Sequence, residues 1–160
     1  RPPGSKRKES SAASVCIRDR AVIAQEGSPN DLYNFPKNKF VANFIGDANV
    51  VKAEIINKQS NNYELKLAEL NLKFESDKDL NENTLVALRP EKIKIERNNN
   101  NVCIHGTVNN ASFVGSSYQY IVNSKIGKLY VISSDTNDIF KVGEEVFLSI
   151  SKEDIKILND

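Results

Sequence analysis

The 160-residue chain is poor in the residues from which most enzyme and metal sites are built. It has no Met or Trp, a single histidine, His105, and two cysteines, Cys16 and Cys103. One histidine excludes the paired-histidine ligand sets of most catalytic zinc sites. Cys103 and His105 share a face of one predicted strand, but the sequence supplies no orienting group or oxyanion site beside them. We therefore expect no catalytic residue and no metal ligand in this chain.

Long apolar runs and a phosphate-binding loop are also missing from the sequence. The longest apolar runs, such as Phe40 to Ile45, are far shorter than the roughly 20 residues that cross a bilayer. Gly127 and Lys128 match the Gly-Lys pair near the end of a phosphate loop, but Leu129 follows where Ser or Thr is required, and no glycine lies five residues before Gly127. The two cysteines form no CxxC pair, which favours a reducing compartment over a disulfide framework.

The net charge of +1 conceals an uneven distribution. Residues 1–20 carry six basic and two acidic residues, whereas the remainder carries 16 basic and 19 acidic residues. The mildly acidic remainder argues against a broad nucleic-acid-binding face, because such faces depend on clustered Lys and Arg. The opening stretch, RPPGSKRKESSAAS, lacks apolar periodicity and predicts disorder. A basic arm that contacts nucleic acid or anionic lipid is the alternative.

Two short helices are predicted before residue 50. Ser28 is a capping residue, Pro29 suits the first helical position and Asp31 places a carboxylate in the first turn, while Pro36 ends that helix. A second helix is predicted over residues 38–45.

The second helix carries one apolar stripe. Phe40 and Phe44, like Val41 and Ile45, are spaced four residues apart, and Gly46 stands where a left-handed C-cap would end the helix. A helix of about two turns is not stable alone in water. We therefore expect this stripe to dock on the domain that follows.

After Asn49 the pattern becomes strand-like. YELKLAELNLKF alternates apolar and polar residues with a break near Ala68, KQSNN and SKIGK read as turns, and Pro90 marks an edge, a bend or a strand start. Short strands at this spacing predict a small antiparallel barrel or sandwich. Three tyrosines on these strands suit either core packing or base stacking: Tyr118, Tyr120 and Tyr130.

Two motifs resemble one family, the ATP-binding subunits of bacterial ABC importers. AQEGSPNDLYNFPKNKFVANFIGDANVV resembles the C-terminal region of these subunits, and LVALRPEKIKI resembles the Arg-Pro-Glu motif of their accessory barrel, the TOBE domain. Spermidine/putrescine importers are the nearest group, with maltose-type sugar and ferric-iron importers as relatives. The first motif is matched by Gln25, Gly27, Pro29, Tyr33, Pro36, Phe40, Val41, Ala42, Phe44, Ile45, Gly46 and Asn49.

The resemblance implies a fold and a domain organisation. The fold is expected to be mainly β, an OB-like antiparallel β-barrel (TOBE) preceded by one or two short helices. Residues 1–23 are expected to be a disordered tail or a remnant of the nucleotide-binding domain, residues 24–49 a helical connector, and residues 50–160 the barrel. In the connector model, Tyr33 and Phe35 are more exposed than Phe40 and Phe44. The residues expected to form the family motif or an interface are Tyr33, Pro36, Phe40, Phe44, Gly46, Asn49, Arg89, Pro90, Glu91 and Gly115.

The implied function is regulatory and dimer-stabilising. The expected partners are a second copy of the chain, the parent ATPase domain and membrane permease subunits, at a cytoplasmic position on the inner face of the cell membrane. ATP and Mg²⁺ belong to the parent subunit, and we expect no cofactor in this chain. Because the ATPase motifs are absent, the sequence indicates either a fragment of a longer subunit or a truncated gene product. ATP hydrolysis is therefore not assigned to these residues.

The sequence leaves two alternatives open. The first is an autonomous OB-type barrel that binds nucleic acid or a small ligand, although the acidic charge and the leader motif favour a partner other than nucleic acid. The second concerns Arg89, Pro90 and Glu91, which either fix a strand bend and a surface ion pair or shape a face between subunits.

Overall fold

The computed structural model describes residues 14–77, 79–98 and 103–158. Within these ranges every strand pair is antiparallel, and no helix has the length and apolar character needed to cross a membrane. The helices are α1 (Pro29–Asn34) and α2 (Lys39–Ile45), with 3₁₀ turns at Pro90–Lys92 and Lys152–Asp154. The strands are β1 (Val15–Asp19), β2 (Val22–Gly27), β3 (Asn49–Lys52), β4 (Glu54–Gln59), β5 (Asn62–Leu67), β6 (Leu70–Glu75), β7 (Leu85–Leu88), β8 (Lys94–Glu96), β9 (Ile104–Phe113), β10 (Tyr118–Ser124), β11 (Gly127–Ser133), β12 (Glu145–Ser149) and β13 (Ile155–Leu158).

The first four elements form a small unit with an apolar core of its own, called here the N-terminal unit (residues 15–46). β1 and β2 pair as a hairpin, and α1 and α2 pack beside it. Ile17, Leu32 and Val41 are buried together at its centre. Because residues 15–23 form most of this hairpin, they are not a disordered tail. The other expectation for residues 1–23, a remnant of the nucleotide-binding domain, stays a prediction, and residues 1–13 lie outside the described residues.

The helix-start signals in the sequence are confirmed. The Ser28 hydroxyl accepts a hydrogen bond from the Asp31 amide at 3.1 Å, and the Asp31 carboxylate accepts one from the Ser28 amide at 3.4 Å. This reciprocal capping box satisfies two amides that the first turn of α1 leaves without helical partners, and Pro29 occupies the first position. Asn38 caps α2, its side-chain oxygen accepting from the Val41 amide at 2.9 Å.

Gly46 ends α2, but not in the left-handed conformation that the sequence predicted. Its φ of 173° is extended backbone, which any residue adopts. The left-handed cap is therefore a wrong prediction. The carbonyl groups at this helix end are bonded by a distant arginine side chain instead, so the turn has no need of a cap of its own.

The alternating strands and turns predicted after Asn49 are confirmed, and they form a three-stranded meander. β4, β5 and β6 pair in order, with turns between Gln59 and Asn62 and between Leu67 and Leu70. The break expected near Ala68 is the second turn, where Ala68 has a φ of 52°. Tyr63 and Leu65 on β5 are buried against the rest of the molecule.

The barrel is built from two further sheets. One has the strand order β11-β10-β9-β12-β8, and the other has the order β13-β7-β3. The first sheet curls until β11 contacts β8 and the 3₁₀ turn at Pro90–Lys92. The mainly β, antiparallel barrel-like fold with short helices in front of it is thereby confirmed. Large side chains that fill its core include Leu65, Leu88, Ile104, Tyr120, Leu129, Phe140 and Leu148.

Candidate functional site

Arg89 joins the barrel to both helices of the N-terminal unit. It follows β7 and is 5% exposed. Its Nη1 donates to the carbonyl oxygens of Ala42 and Gly46 at 3.1 and 3.0 Å, and its Nη2 donates to the carbonyl oxygen of Tyr33 at 3.0 Å. The guanidinium carbon lies 4.1 Å from the centroid of the Tyr33 ring. We call this arrangement the Arg89 lock.

The Arg89 lock supplies the positive charge that the carboxyl ends of α1 and α2 lack. The last carbonyls of a helix lack helical partners and form the negative end of its dipole, where a basic residue is stabilising. Neither α1 nor α2 has a basic residue in its last turn. Arg89 supplies one cation to both helix ends at once, and burial lowers the pKa of this guanidinium from its ordinary value. An arginine nevertheless keeps its charge at neutral pH.

The expectation that Arg89 takes part in a surface ion pair is wrong. Its side chain is buried, and among the described residues it has no carboxylate partner. Glu91 is exposed, and Pro90 is buried at the start of the 3₁₀ turn that separates β7 from β8. The rigid bend expected at Pro90 is present, and it leaves Arg89 pointing at the helices rather than at Glu91.

Asn49 closes the seam between the two barrel sheets. Its side-chain Nδ2 donates to the Tyr130 carbonyl at 2.7 Å and to the Leu88 carbonyl at 3.3 Å, and its Oδ1 accepts from the Tyr130 amide at 2.6 Å. The amide group thus bonds one residue of β11 as a neighbouring strand would. Asn49 is 8% exposed, so these bonds satisfy a buried polar group.

The Gln25 side chain forms hydrogen bonds with backbone groups on both sides of Pro36, in the loop between α1 and α2. Its Nε2 donates to the Phe35 carbonyl at 2.9 Å, and its Oε1 accepts from the Lys37 amide at 2.8 Å. The intervening Pro36 is buried. Gln25 was missing from the expected site residues, although it begins the first family motif. The signal that pointed to it was a polar residue in a motif otherwise made of turn and apolar residues.

The exposure of the aromatic residues differs from expectation. Phe40 and Phe44 are 36% and 62% exposed, so the prediction that they dock on the barrel is wrong. Tyr33 is only half-buried rather than more exposed than they are, because Arg89 covers its ring. Phe35, at 66%, is more exposed than both, as predicted. Val41 and its neighbour Ala42 form the buried face of α2 instead.

Phe40 and Phe44 therefore form an exposed aromatic pair. Their ring centroids are 5.9 Å apart, at a tilt of 35°. Two adjacent phenyl rings on one helix face are typical of surfaces that contact another protein. The aromatic pair lies on the seven-residue helix α2, and the Arg89 lock holds the carboxyl end of that helix.

Other expected or considered residues lie elsewhere. Gly115 is in the turn between β9 and β10 with a φ of 91°, a conformation that favours glycine. Tyr118 and Tyr120 stack on each other at 5.9 Å, and Tyr120 is fully buried, which leaves no ladder of free rings for bases. Tyr130 is half-buried, and burial, followed by the charge of Asp47, raises the pKa of its hydroxyl.

The residues considered for nucleophilic or metal chemistry form no such site. Burial raises the pKa of the Cys103 thiol, which disfavours a reactive thiolate. His105 Nε2 lies 3.9 Å from the Glu145 carboxylate, and its ring packs on Phe147 at 5.3 Å. In the part of the chain that the structure describes, no group of three or more His, Cys, Asp or Glu residues is placed to hold a metal ion.

The barrel, its Arg-Pro-Glu turn and its helical leader define a class of protein. A family model described as the TOBE domain matches residues 86–158. This part of the chain is a TOBE domain, and the chain as a whole is similar to the ATP-binding subunits of ABC importers that carry one.

Particular relatives share most of the chain. The spermidine/putrescine import ATP-binding protein PotA of Clostridioides difficile is 34% identical over 147 residues, covering 90% of this chain and 40% of the relative. The Fe(3+) ions import ATP-binding protein FbpC of Fusobacterium nucleatum is 28% identical over 157 residues, covering 91% and 41%. The chain thus spans about two fifths of the length of the curated relatives it matches.

A solved structure supports the fold. The cytoplasmic molybdate-binding protein ModG superposes with a TM-score of 0.56 at 11% identity, covering 68% of this chain and 94% of that chain. At this identity the likeness concerns the fold alone.

Proposed function

We propose that this chain is the regulatory region of the ATP-binding subunit of an ABC importer of the polyamine type. The observation that carries the proposal is the similarity to the C. difficile spermidine/putrescine import protein over 90% of the chain, at 34% identity. The iron-import relative from F. nucleatum matches an equal share at 28% identity. The higher sequence identity to the spermidine/putrescine protein favours a polyamine importer as the parent transporter.

In this proposal the chain contributes mechanical contacts and no chemistry. ATP and Mg²⁺ belong to the ATP-binding domain of the parent subunit, and the residues of this chain include no phosphate loop with which to hold them. The exposed aromatic pair contacts that ATP-binding domain, because two phenyl rings in water are stabilised by a partner surface. The Arg89 lock transmits the contact to the TOBE domain.

The partners follow from the same proposal. Two copies pair through their TOBE domains and stabilise the ATPase dimer, while permease subunits hold the assembly at the inner face of the membrane. If the copies pair, analytical ultracentrifugation of the chain at tens of micromolar should show a species of twice the chain mass of 17.9 kDa. Sedimentation at 17.9 kDa throughout this range would argue against pairing through this region alone.

Two chimeras test the transporter type. In one, residues 14–158 replace the aligned region of C. difficile PotA, and in the other they replace that of F. nucleatum FbpC, each assembled with its own permease. The proposal predicts spermidine uptake by the first chimera within about threefold of the unmodified transporter and much weaker iron uptake by the second. Iron uptake by the second chimera with an inactive first one would assign the chain to the other transporter type.

A further inference from the structure

The N-terminal unit and the barrel have separate apolar cores. The first is centred on Ile17, Leu32 and Val41, and the second runs through the sheets of the barrel and the meander. Among the described residues, a third and smaller cluster lies between them. Its buried members are Ala42 of α2, Ala87 of β7 and Leu158 of β13, and the half-buried side chains packed against it are Ala48, Val50 and Leu85. Two of the three buried members are alanines, so the fully buried apolar area between the two parts is small.

Among the hydrogen bonds between described residues, those that cross this boundary come from one side chain. Arg89 donates to three carbonyl groups that belong to both helices, and it stacks on the Tyr33 ring. A second cation at the boundary, Lys156, lies 5.4 Å from the centroid of Phe35, a ring that is 66% exposed. An exposed contact of this kind is weak, whereas the bonds of Arg89 are shielded from water.

We infer that Arg89 is the positioning residue that fixes the angle between the N-terminal unit and the barrel. The planar guanidinium holds the ends of α1 and α2 at fixed directions from one point on β7. The close contact between Ala42 and Ala87 keeps the helix near the sheet but does not orient it, because two methyl groups offer no directional bond. The direction in which the aromatic pair faces is therefore set by Arg89.

A lysine at this position would not replace the arginine. Its ammonium is a compact point charge on a flexible stem, and it lacks the rigid fork that reaches carbonyls on two helices. Arg89→Lys therefore keeps the charge and removes the geometry. Arg97 provides a matched control, because it too stacks on a ring, that of Phe140 at 4.4 Å, and donates to a carbonyl, that of Ile139 at 2.7 Å. All its partners belong to the barrel.

The angle is measured by the distance between two spin labels. One label is attached to Cys16, which is exposed on β1, and the other to an Asn123→Cys substitution on the exposed face of β10, in a Cys103→Ser background. We expect a single narrow distance distribution with Arg89 and at least about a twofold broader one with Arg89→Lys. Arg97→Lys is expected to leave the width unchanged. An unchanged width in Arg89→Lys, or equal broadening in both variants, would overturn the inference.

Hydrogen exchange separates this role from a general loss of stability. In Arg89→Lys, the amides of α1 and α2 should exchange at least about tenfold faster while those of β9 and β10 keep their protection. Loss of protection in β9 and β10 as well would show that Arg89 supports the whole fold and would contradict the inference. Both measurements use this chain alone. The inference rests on the proposed function only for what the aromatic pair faces, so the chimeras succeed or fail independently of it.

Discussion

Asn49 shows how much a single side chain can do at a sheet boundary. Its side-chain amide forms hydrogen bonds with both the carbonyl and the N–H of Tyr130. It therefore pairs with β11 at this position as a residue of a neighbouring strand would. Asn49→Ala leaves these two groups without their partners at a largely buried position. We expect a loss of about 1–3 kcal/mol in the free energy of unfolding, measured with urea. Asn123→Ala, at an exposed position of β10, is the control and should change it by less than about 0.5 kcal/mol.

The Glu69–Lys125 pair gives the chain a defined pH dependence. The pKa of Glu69 is lowered from its ordinary value of 4.5, mainly because the carboxylate accepts a hydrogen bond from Lys125 at 2.7 Å, while burial opposes this shift. A lowered folded-state pKa stabilises the fold above the ordinary value, and this contribution is lost as the pH falls through the folded-state pKa. Both side chains are more than a third exposed, so this ion pair contributes less than about 1 kcal/mol to the free energy of unfolding.

Glu69→Gln tests this dependence. The variant should unfold more easily than the native chain at neutral pH, and the difference should disappear as the pH is lowered from about 5 to about 3. Glu82→Gln, at an exposed carboxylate before β7, serves as the control. A stability difference for Glu69→Gln that persists at the low end of this range would contradict the assignment of the effect to ionised Glu69.

At the residue scale, the sequence drew attention to Arg89 and Asn49 through family motifs but left their bonding partners open. The carbonyls that Arg89 bonds lie 47, 43 and 56 residues away along the chain, at helix ends whose positions depend on the folded structure. Local rules reach only about one helical turn, so they left the roles of both side chains open.

At the scale of elements, α1 and α2 were predictable because their signals are local. The caps at Ser28 and Asn38, with Pro29 after the first, settle where each helix begins. The buried face of α2 was not predictable, because Phe40 with Phe44 and Val41 with Ile45 make two adjacent apolar rows. The close approach of Ala42 to Ala87 selects between them, and that contact is visible only in the folded chain.

Gly106 and Gly46 differ in whether the structure requires glycine at their positions. A Cβ at Gly106, on β9, would lie 2.5 Å from Val122 Cγ1 and 2.8 Å from the Asn123 carbonyl oxygen, so Gly106→Ala should destabilise the chain by about 1–3 kcal/mol. A Cβ at Gly46 would meet Arg89 Nη1 at an ordinary 3.5 Å, and the backbone there is extended. Gly46→Ala should therefore stay within about 0.5 kcal/mol. Thermal unfolding of both variants measures this, and equal losses would restore a special role for Gly46.

At the scale of the whole molecule, the antiparallel β-architecture followed from the period-two patterns and turn residues after Asn49. The hairpin of β1 and β2 did not, because its turn residues Arg20 and Ala21 carry no turn signal, yet they adopt φ values of 45° and 67°. The N-terminal unit is consequently larger than the predicted connector. Its separate core explains why the molecule presents an exposed aromatic pair at one place and a filled barrel at another.

We propose that this region acts on an importer ATPase through the aromatic pair. ATP hydrolysis stimulated by spermidine is measured in the C. difficile PotA chimera that carries residues 14–158, with and without the double substitution Phe40→Ser and Phe44→Ser. We predict at least about a tenfold loss of stimulated hydrolysis with unchanged unfolding temperature, since both rings are exposed. Ile56→Ser, at a 43% exposed position on β4, should have no effect. Full stimulation in the double variant, or an equal loss in Ile56→Ser, would contradict the account.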